Sequence, residues 1–336
     1  MAVWKPASEI EEVPPLWLLD TPILKVPLGE LTLVGGREAS AKSMFTIWLA
    51  AGITNGTLPG ELCGQKRHVI ICAVEDSWAR TITARLRIAG ADLKMVGPIK
   101  EVTTRSTGRT SSLTLPTHLD GLAETIIRLN SPLVILDPII SHLGDINPNR
   151  AEQVRQKCEP MVSMLDELTV AGVGITHFSK AEGRDAMSLI SGSGAWKDLA
   201  RSVIIMVRED RDAGIISQLK CQGAPPFEFS GTFRVGSVMD PIGGRWVSVP
   251  WFWPGEQTKR HVEDLLDFGK ARKKSEARDF LRTILGAVPG QWVSSAWVLE
   301  QAESRGIDEK TLQTARTSLG VERRKRSNGS WEMKLG

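Results

Sequence analysis

Runs of consecutive apolar residues, rather than alternating ones, dominate the first two thirds of the chain. Leu31-Thr-Leu-Val34, His68 to Val74, Leu133 to Asp137, Gly172 to Thr176 and Ser202 to Val207 are short and rich in β-branched residues. Such runs predict strands buried on both faces. Between them, Ser43 to Ile53, Ser77 to Ala89, Leu119 to Leu129 and Arg150 to Ala171 carry helix-favouring residues. Wholly apolar strands separated by helices indicate an α/β core built on a mostly parallel sheet covered on both sides. An opening stretch rich in proline and acid, Ser8 to Pro27, precedes the first of them. After the last, Glu209 to Gly214 has turn composition, Gly214 to Cys221 reads as the return arm of a hairpin, and a tryptophan-rich stretch, Trp246 to Trp253, closes the core.

The pattern then changes. Lys259 to Lys274 is charged and lacks a long apolar run, which places a linker at 256–274 between a core of 1–255 and a small domain of 275–336. In that domain Ala277, Phe280, Leu281, Ile284 and Leu285 recur at helical spacing, and Ser294 to Arg305 forms a second candidate helix. Asp308 is placed to cap a third, which Gly320 stops. Two short strands, Val321 to Arg326 and Trp331 to Leu335, flank a Ser-Asn-Gly turn. Three helices followed by a hairpin predict a winged helix-turn-helix.

Composition narrows the class. With 41% hydrophobic and 24% charged residues the 336-residue chain is globular. No apolar run reaches the ~18 residues of a membrane span, and the start lacks the layout of a signal peptide, so a cytoplasmic location without membrane partners is expected. The four cysteines show neither Cys-x-x-Cys pairing nor zinc-finger spacing. The net charge of +3 hides an asymmetry, because Phe268 to Gly336 holds 14 Lys and Arg against 8 Asp and Glu. Charge concentrated on one terminal domain fits a nucleic-acid contact, although it also serves solubility.

The strongest chemical signal lies between the first strand and the first helix. Gly36, Arg37, Glu38, Ala39, Ser40, Ala41, Lys42 and Ser43, with Met44 behind them, have the order of a phosphate-binding loop. Amides at a helix start face the anion, the lysine reaches the outer phosphates, and the hydroxyl of Ser43 binds magnesium. Asp137 ends an apolar strand, where a carboxylate holds Mg2+ beside such a loop; a turn acid before Pro138 is the plainer reading. Glu75 ends another buried strand, followed by Asp76, and an acid there orients or deprotonates attacking water, or caps a helix.

Taken together with Thr176-His177-Phe-Ser-Lys180, the stretch Gly192 to Arg201 and Leu219-Lys220, these motifs resemble the RepA-like branch of RecA-type ATPases. Its members are ring-forming, hexameric helicases of plasmids, phages and mobile elements. The resemblance covers roughly Thr21 to Pro226. It implies a RecA-like P-loop NTPase core that uses ATP and Mg2+, with Glu75 as catalytic base and His177 sensing the γ-phosphate. It further implies that Arg201 and Lys220 reach the nucleotide of a neighbouring subunit in a homo-oligomer, a hexamer in such rings. Read without it, His177 is a strand-end histidine and Arg201 a surface charge. One departure stands out: relatives place glycines where this chain has Ala39 and Ala41, which bears on hydrolysis wherever the loop needs a positive φ.

Loops following the strands on the same edge offer Arg150, Lys180 and Arg184 to single-stranded DNA in a central channel. In the C-terminal domain Lys310, Thr314 and Arg316 fall on the presumed recognition helix, and Arg323, Arg324, Lys325 and Arg326 on the first wing strand. Winged helices also bind proteins, and a basic edge strand also resists aggregation. The expected function is an ATP-driven DNA motor. The rivals are a RecA- or RadA-like recombination ATPase and a nucleotide-switched DNA-binding regulator with little turnover.

Overall fold

The structure, a computed structural model, describes residues 4–335 apart from 100, 101, 104–107, 109, 179–185, 191–193, 289 and 328, with side chains outside 267–275. It divides into two compact units, Met1–Glu263 and Asp264–Gly336.

The first unit begins with an antiparallel pair, β1 (Trp17–Asp20) and β2 (Lys25–Pro27). There follow β3 (Leu31–Gly36), α1 (Lys42–Asn55), β4 (Val69–Ala73), α2 (Thr83–Ile88), β5 (Val96–Gly97), the short pair β6 (Val102–Thr103) and β7 (Thr110–Ser111), and α3 (Leu119–Leu129). Then come β8 (Leu133–Asp137), α4 (Ala151–Leu168), β9 (Ala171–His177), α5 (Ala195–Leu199), β10 (Ser202–Arg208), β11 (Ala213–Cys221), β12 (Ser230–Ile242) and β13 (Arg245–Thr258). Nine strands form one sheet in the order β13-β12-β11-β10-β3-β9-β8-β4-β5. The six from β10 to β5 run parallel, and β11, β12 and β13 extend them as an antiparallel edge. This is the α/β core the apolar runs predict.

Side-chain alternation decides what each strand offers at its end. Val34, Val69, Ile71, Leu133, Ile135, Val173, Ile204 and Met206 all pack in one hydrophobic cluster with Phe45, Ile47, Leu49 and Ile53 of α1. Because α1 is buried nearly all round, its apolar residues show no single polar face. Asp137, His177 and Arg208 end β8, β9 and β10 in that same alternation, and Glu75 follows β4 by two residues. Polar ends of apolar strands thus collect above the start of α1, at the carboxyl edge where parallel sheets bind ligands.

The second unit holds most of α6 (Val262–Gly286), then β14 (Val293–Ser294), α7 (Ser295–Glu303), α8 (Glu309–Ser318), β15 (Glu322–Lys325) and β16 (Trp331–Lys334). Its sheet order is β14-β16-β15. Phe280, Leu281, Leu285, Val298, Leu312 and Met333 form a core of its own. Asp308 caps α8 by accepting a hydrogen bond from the Thr311 amide at 2.8 Å.

One boundary differs from expectation. The segment 256–274, expected as a linker, is the end of β13 followed by the first half of a continuous 25-residue helix. Charged residues and alanine are good helix formers, and Val262, Leu265 and Leu266 are buried there. Among the described residues no helix is long and apolar enough to cross a membrane.

Candidate functional site

The carboxyl ends of the central strands open on a cleft of about 570 Å³. The β3–α1 loop forms its floor. Gly36 permits the loop to turn, since a Cβ there would meet Ser40 Oγ at 2.4 Å and the Met206 carbonyl at 2.5 Å. Ala41 stands at the N-cap of α1 without a side-chain cap. The first amides of the helix therefore point outward unpaired, as an anion site requires.

Both alanines of this loop adopt the left-handed conformation, Ala39 at φ 57° and Ala41 at φ 71°. The missing glycines are thus missed where they matter, because an L-residue there costs about 1–2 kcal/mol. Ala39→Gly and Ala41→Gly are each expected to raise the free energy of unfolding by about 1 kcal/mol, read by urea denaturation. A loss of stability in both would mean that the two methyl groups gain more from packing than the backbone loses in strain.

Lys42 is only 5% exposed. Its ammonium donates to the carbonyls of Gly36 (3.1 Å) and Arg37 (2.7 Å) and to Ser40 Oγ (3.4 Å). Burial lowers its pKa from 10.5 to about 8, against the opposing pull of Asp137, Glu38 and Glu75. Asp137 shifts the other way. Burial raises its pKa, the carboxylates of Asp76 and Glu75 add to the rise, and the Ser43 hydroxyl and Lys42 oppose it. A half-buried carboxylate crowded by two others and hydrogen-bonded to Ser43 suits a divalent cation. Among the described residues no group of three or more His, Cys, Asp or Glu could hold a metal ion.

Glu75 is exposed at the cleft and makes no ion pair among the described residues. Its neighbour Asp76 is tied to Arg85 at 2.6 Å. His177 pairs in register with Gly36 across β9 and β3. Of seven buried side-chain nitrogen or oxygen atoms that lack a hydrogen-bond partner among the described residues, three line this cleft: Arg85 Nε, His177 Nδ1 and Arg208 Nε. Buried polar atoms without partners are costly, so the convergence of three in one cleft suits a ligand that supplies their partners.

The structure brings Ala39 to Met44, Glu75, Asp137 and His177 into one cleft, with Gly36 beneath the loop and Arg37 and Glu38 exposed at its rim. It does not bring Arg201 or Lys220 there. The Arg201 amide bonds to the Leu31 carbonyl, at the opposite end of β3 and about 17 Å from the loop at ~3.3 Å per residue. Lys220 donates to the Lys197 carbonyl at 2.6 Å, and its pKa is lowered by burial and by Arg201 beside it. Arg150 is exposed before α4, while Lys180 and Arg184 lie outside the described residues.

In the C-terminal unit Lys310 is exposed and Arg316 half-buried on α8. The basic strand is less free than its sequence suggests. Arg324 and Arg326 both pair with the buried Glu332, at 2.9 and 3.1 Å. Arg324 also covers Trp292, and Arg323 covers Trp331, although all four basic residues remain exposed.

Arg85, Arg208, Arg211 and Asp212 line the cleft without having been singled out in the sequence. For Arg208 the signal was available, since it ends an apolar strand as Asp137 does. No curated protein matches the chain. The family model of the AAA domain matches residues 7–183, more than half of the chain and the whole span from β1 to β9. With its phosphate-binding loop, buried lysine and strand-end carboxylates in one cleft, the chain belongs to the AAA-domain family of P-loop ATPases.

Proposed function

We propose that the chain is an ATP-driven DNA motor of the RepA-like, ring-forming helicase type, working as a homo-oligomer, with a hexamer the expected ring. The observation that carries this reading is the separation of Arg201 and Lys220 from the cleft. Two cations held side by side at the far edge of the sheet serve no phosphate of their own chain, yet they suit a nucleotide presented by a neighbour. Charge stabilisation of this kind contributes orders of magnitude to phosphoryl transfer.

Within the cleft, Lys42 and the α1 amides hold the β- and γ-phosphates, Ser43 and Asp137 hold Mg2+, Glu75 takes the proton of the attacking water, and His177 reports the γ-phosphate to β9. When bound, Mg2+ neutralises phosphate charge. Arg150, Lys180 and Arg184 follow strands on the cleft edge and are assigned to single-stranded DNA. The helix, strand, helix, helix and hairpin order of the second unit supports a winged helix, with Lys310, Arg316, Arg323 and Lys325 as its duplex contacts. Arg324 and Arg326 contribute less, since Glu332 already compensates them.

ATP hydrolysis by the full chain, with and without single-stranded DNA, tests this. Turnover should rise with DNA and with protein concentration, and vanish in Lys42→Ala and in Arg201→Ala. Mixing these two inactive variants should restore part of the activity, because an intact cleft then meets an intact Arg201 from its neighbour. Mixtures as inactive as their components would exclude the contact in trans. Filaments in place of closed rings would favour the recombination ATPase. A second reading, the nucleotide-switched DNA binder, is favoured by the strained Ala39 and Ala41 and predicts tight nucleotide binding without turnover.

A further inference from the structure

Arg208 is a cleft cation to which the proposed chemistry gives no task. It ends β10, beyond the span matched by the AAA-domain model. Its alternation with Ile204 and Met206, both in the α1 cluster, directs it to the side of the sheet where the phosphate-binding loop lies. Its Nε is buried and finds no acceptor among the described residues. The nearby Asp210 is engaged elsewhere, accepting from the Asp212 and Ala213 amides at 2.8 Å each.

Sheet order gives this guanidinium a direction. β3, which feeds the loop, lies between β9 and β10. His177, Asp137 and Glu75 stand on the β9 side, on successive strands β9, β8 and β4. Arg208 stands on the other flank, one strand spacing of about 4.8 Å from β3, with Arg211 and Asp212 of the turn after β10 also lining the cleft. Water activated by Glu75 must meet the γ-phosphate on the β9 side, so a triphosphate lying along the loop has its α-phosphate toward β10. Beyond Arg208 and the oppositely charged Arg211 and Asp212, the cleft wall on the β12 and β13 strands is Val235, Gly236, Ser237, Pro250 and Trp251, uncharged groups suited to a nucleoside rather than to a phosphate.

We infer that Arg208 binds the nucleotide from the β10 side, donating to its α- or β-phosphate and so contributing equally to ATP and ADP. This assignment rests on the nucleotide reading of the cleft. A guanidinium suits the task because its planar donors stay charged at any physiological pH and match phosphate oxygens in geometry.

Calorimetric titration of the full chain with ADP and with the non-hydrolysable β,γ-imido analogue of ATP, beside steady-state hydrolysis, tests it. In Arg208→Gln both dissociation constants should rise about tenfold, KM should rise with them, and kcat at saturating ATP should stay unchanged. Arg208→Lys, which keeps the charge but not the fork, should recover part of the loss. It also carries the test should the glutamine variant not fold, by weakening both ligands severalfold. Affinities within twofold of the parent would overturn the assignment. So would a loss confined to the triphosphate or to kcat, which would move Arg208 to the γ-phosphate. A parent protein that binds neither ligand would instead overturn the nucleotide reading itself, and the role of Arg208 with it.

Discussion

Lys42→Met should abolish ATP turnover and at the same time stabilise the nucleotide-free protein at neutral pH. The two effects have one cause. The ammonium is buried on the floor of the cleft, and burial lowers its pKa from 10.5 to about 8, while the unfolded chain keeps the ordinary value. Below pH 8 both states are protonated and folding bears the full desolvation cost. Between pH 8 and 10.5 the folded state releases its proton before the unfolded one, so stability rises with pH; above 10.5 the contribution has gone. At 1.36 kcal/mol per pH unit the cost at pH 7 is about 3 kcal/mol. That figure already includes the attraction of Asp137, Glu38 and Glu75; methionine removes the cost but leaves the Gly36 and Arg37 carbonyls without their donor, so the net gain is on the order of 1–3 kcal/mol. Urea denaturation at pH 7 and pH 10, without nucleotide or metal, reads it: the variant should lead clearly at pH 7 and much less at pH 10. ATP with Mg2+ should raise the midpoint of the parent alone. A variant no more stable than the parent at pH 7, with the same pH dependence, would mean that the ammonium is solvated after all.

The cleft edge of the fold was legible because each central strand is apolar until it reaches the cleft. Leu133 to Leu136 followed by Asp137, and Gly172 to Thr176 followed by His177, announce both the strand and the place where burial stops. β12 was not legible for the opposite reason. Ser230 to Ile242 contains Gly231, Gly236 and Asp240-Pro241, residues that weaken a strand by intrinsic preference. They are tolerated here near the edge of a sheet whose other members already fix the register. The pair Gly243-Gly244, both at positive φ and joining Ile242 to its partner Arg245, was the available sign of a two-residue hairpin. The start of α6 was hidden by its charge, since a run of Lys, Arg, Asp and Glu reads equally as linker and as helix. The orphaned nitrogens of Arg85, His177 and Arg208 could not be read from sequence, because being unpartnered is a property of the folded surroundings. The same holds for Glu332, whose burial between Arg324 and Arg326 alters the meaning of a basic run that the sequence shows only as charge.

Glu75→Gln should separate binding from chemistry. Two acids follow β4, and their partners distinguish them: Asp76 is held by Arg85, whereas Glu75 faces the cleft with no ion pair among the described residues. The base proposed to take the proton of the attacking water is therefore the one not engaged by a cation among the described residues, Glu75. The amide of glutamine keeps the shape and removes the base, so turnover should fall by about 10²–10⁴. Affinity for ATP should be unchanged or tighter, because one negative charge leaves a cleft that receives a polyanion. Glu75 also helps to raise the pKa of Asp137, so its loss lets Asp137 ionise more easily and favours Mg2+. Asp76→Asn should act differently: it also removes a charge and frees Arg85, so binding should be unchanged or tighter, while kcat stays within about tenfold of the parent. Single-turnover hydrolysis and nucleotide titration on both variants decide the matter. A glutamine variant that hydrolyses ATP nearly as fast as the parent, beside an inactive Asp76→Asn, would exchange the two roles.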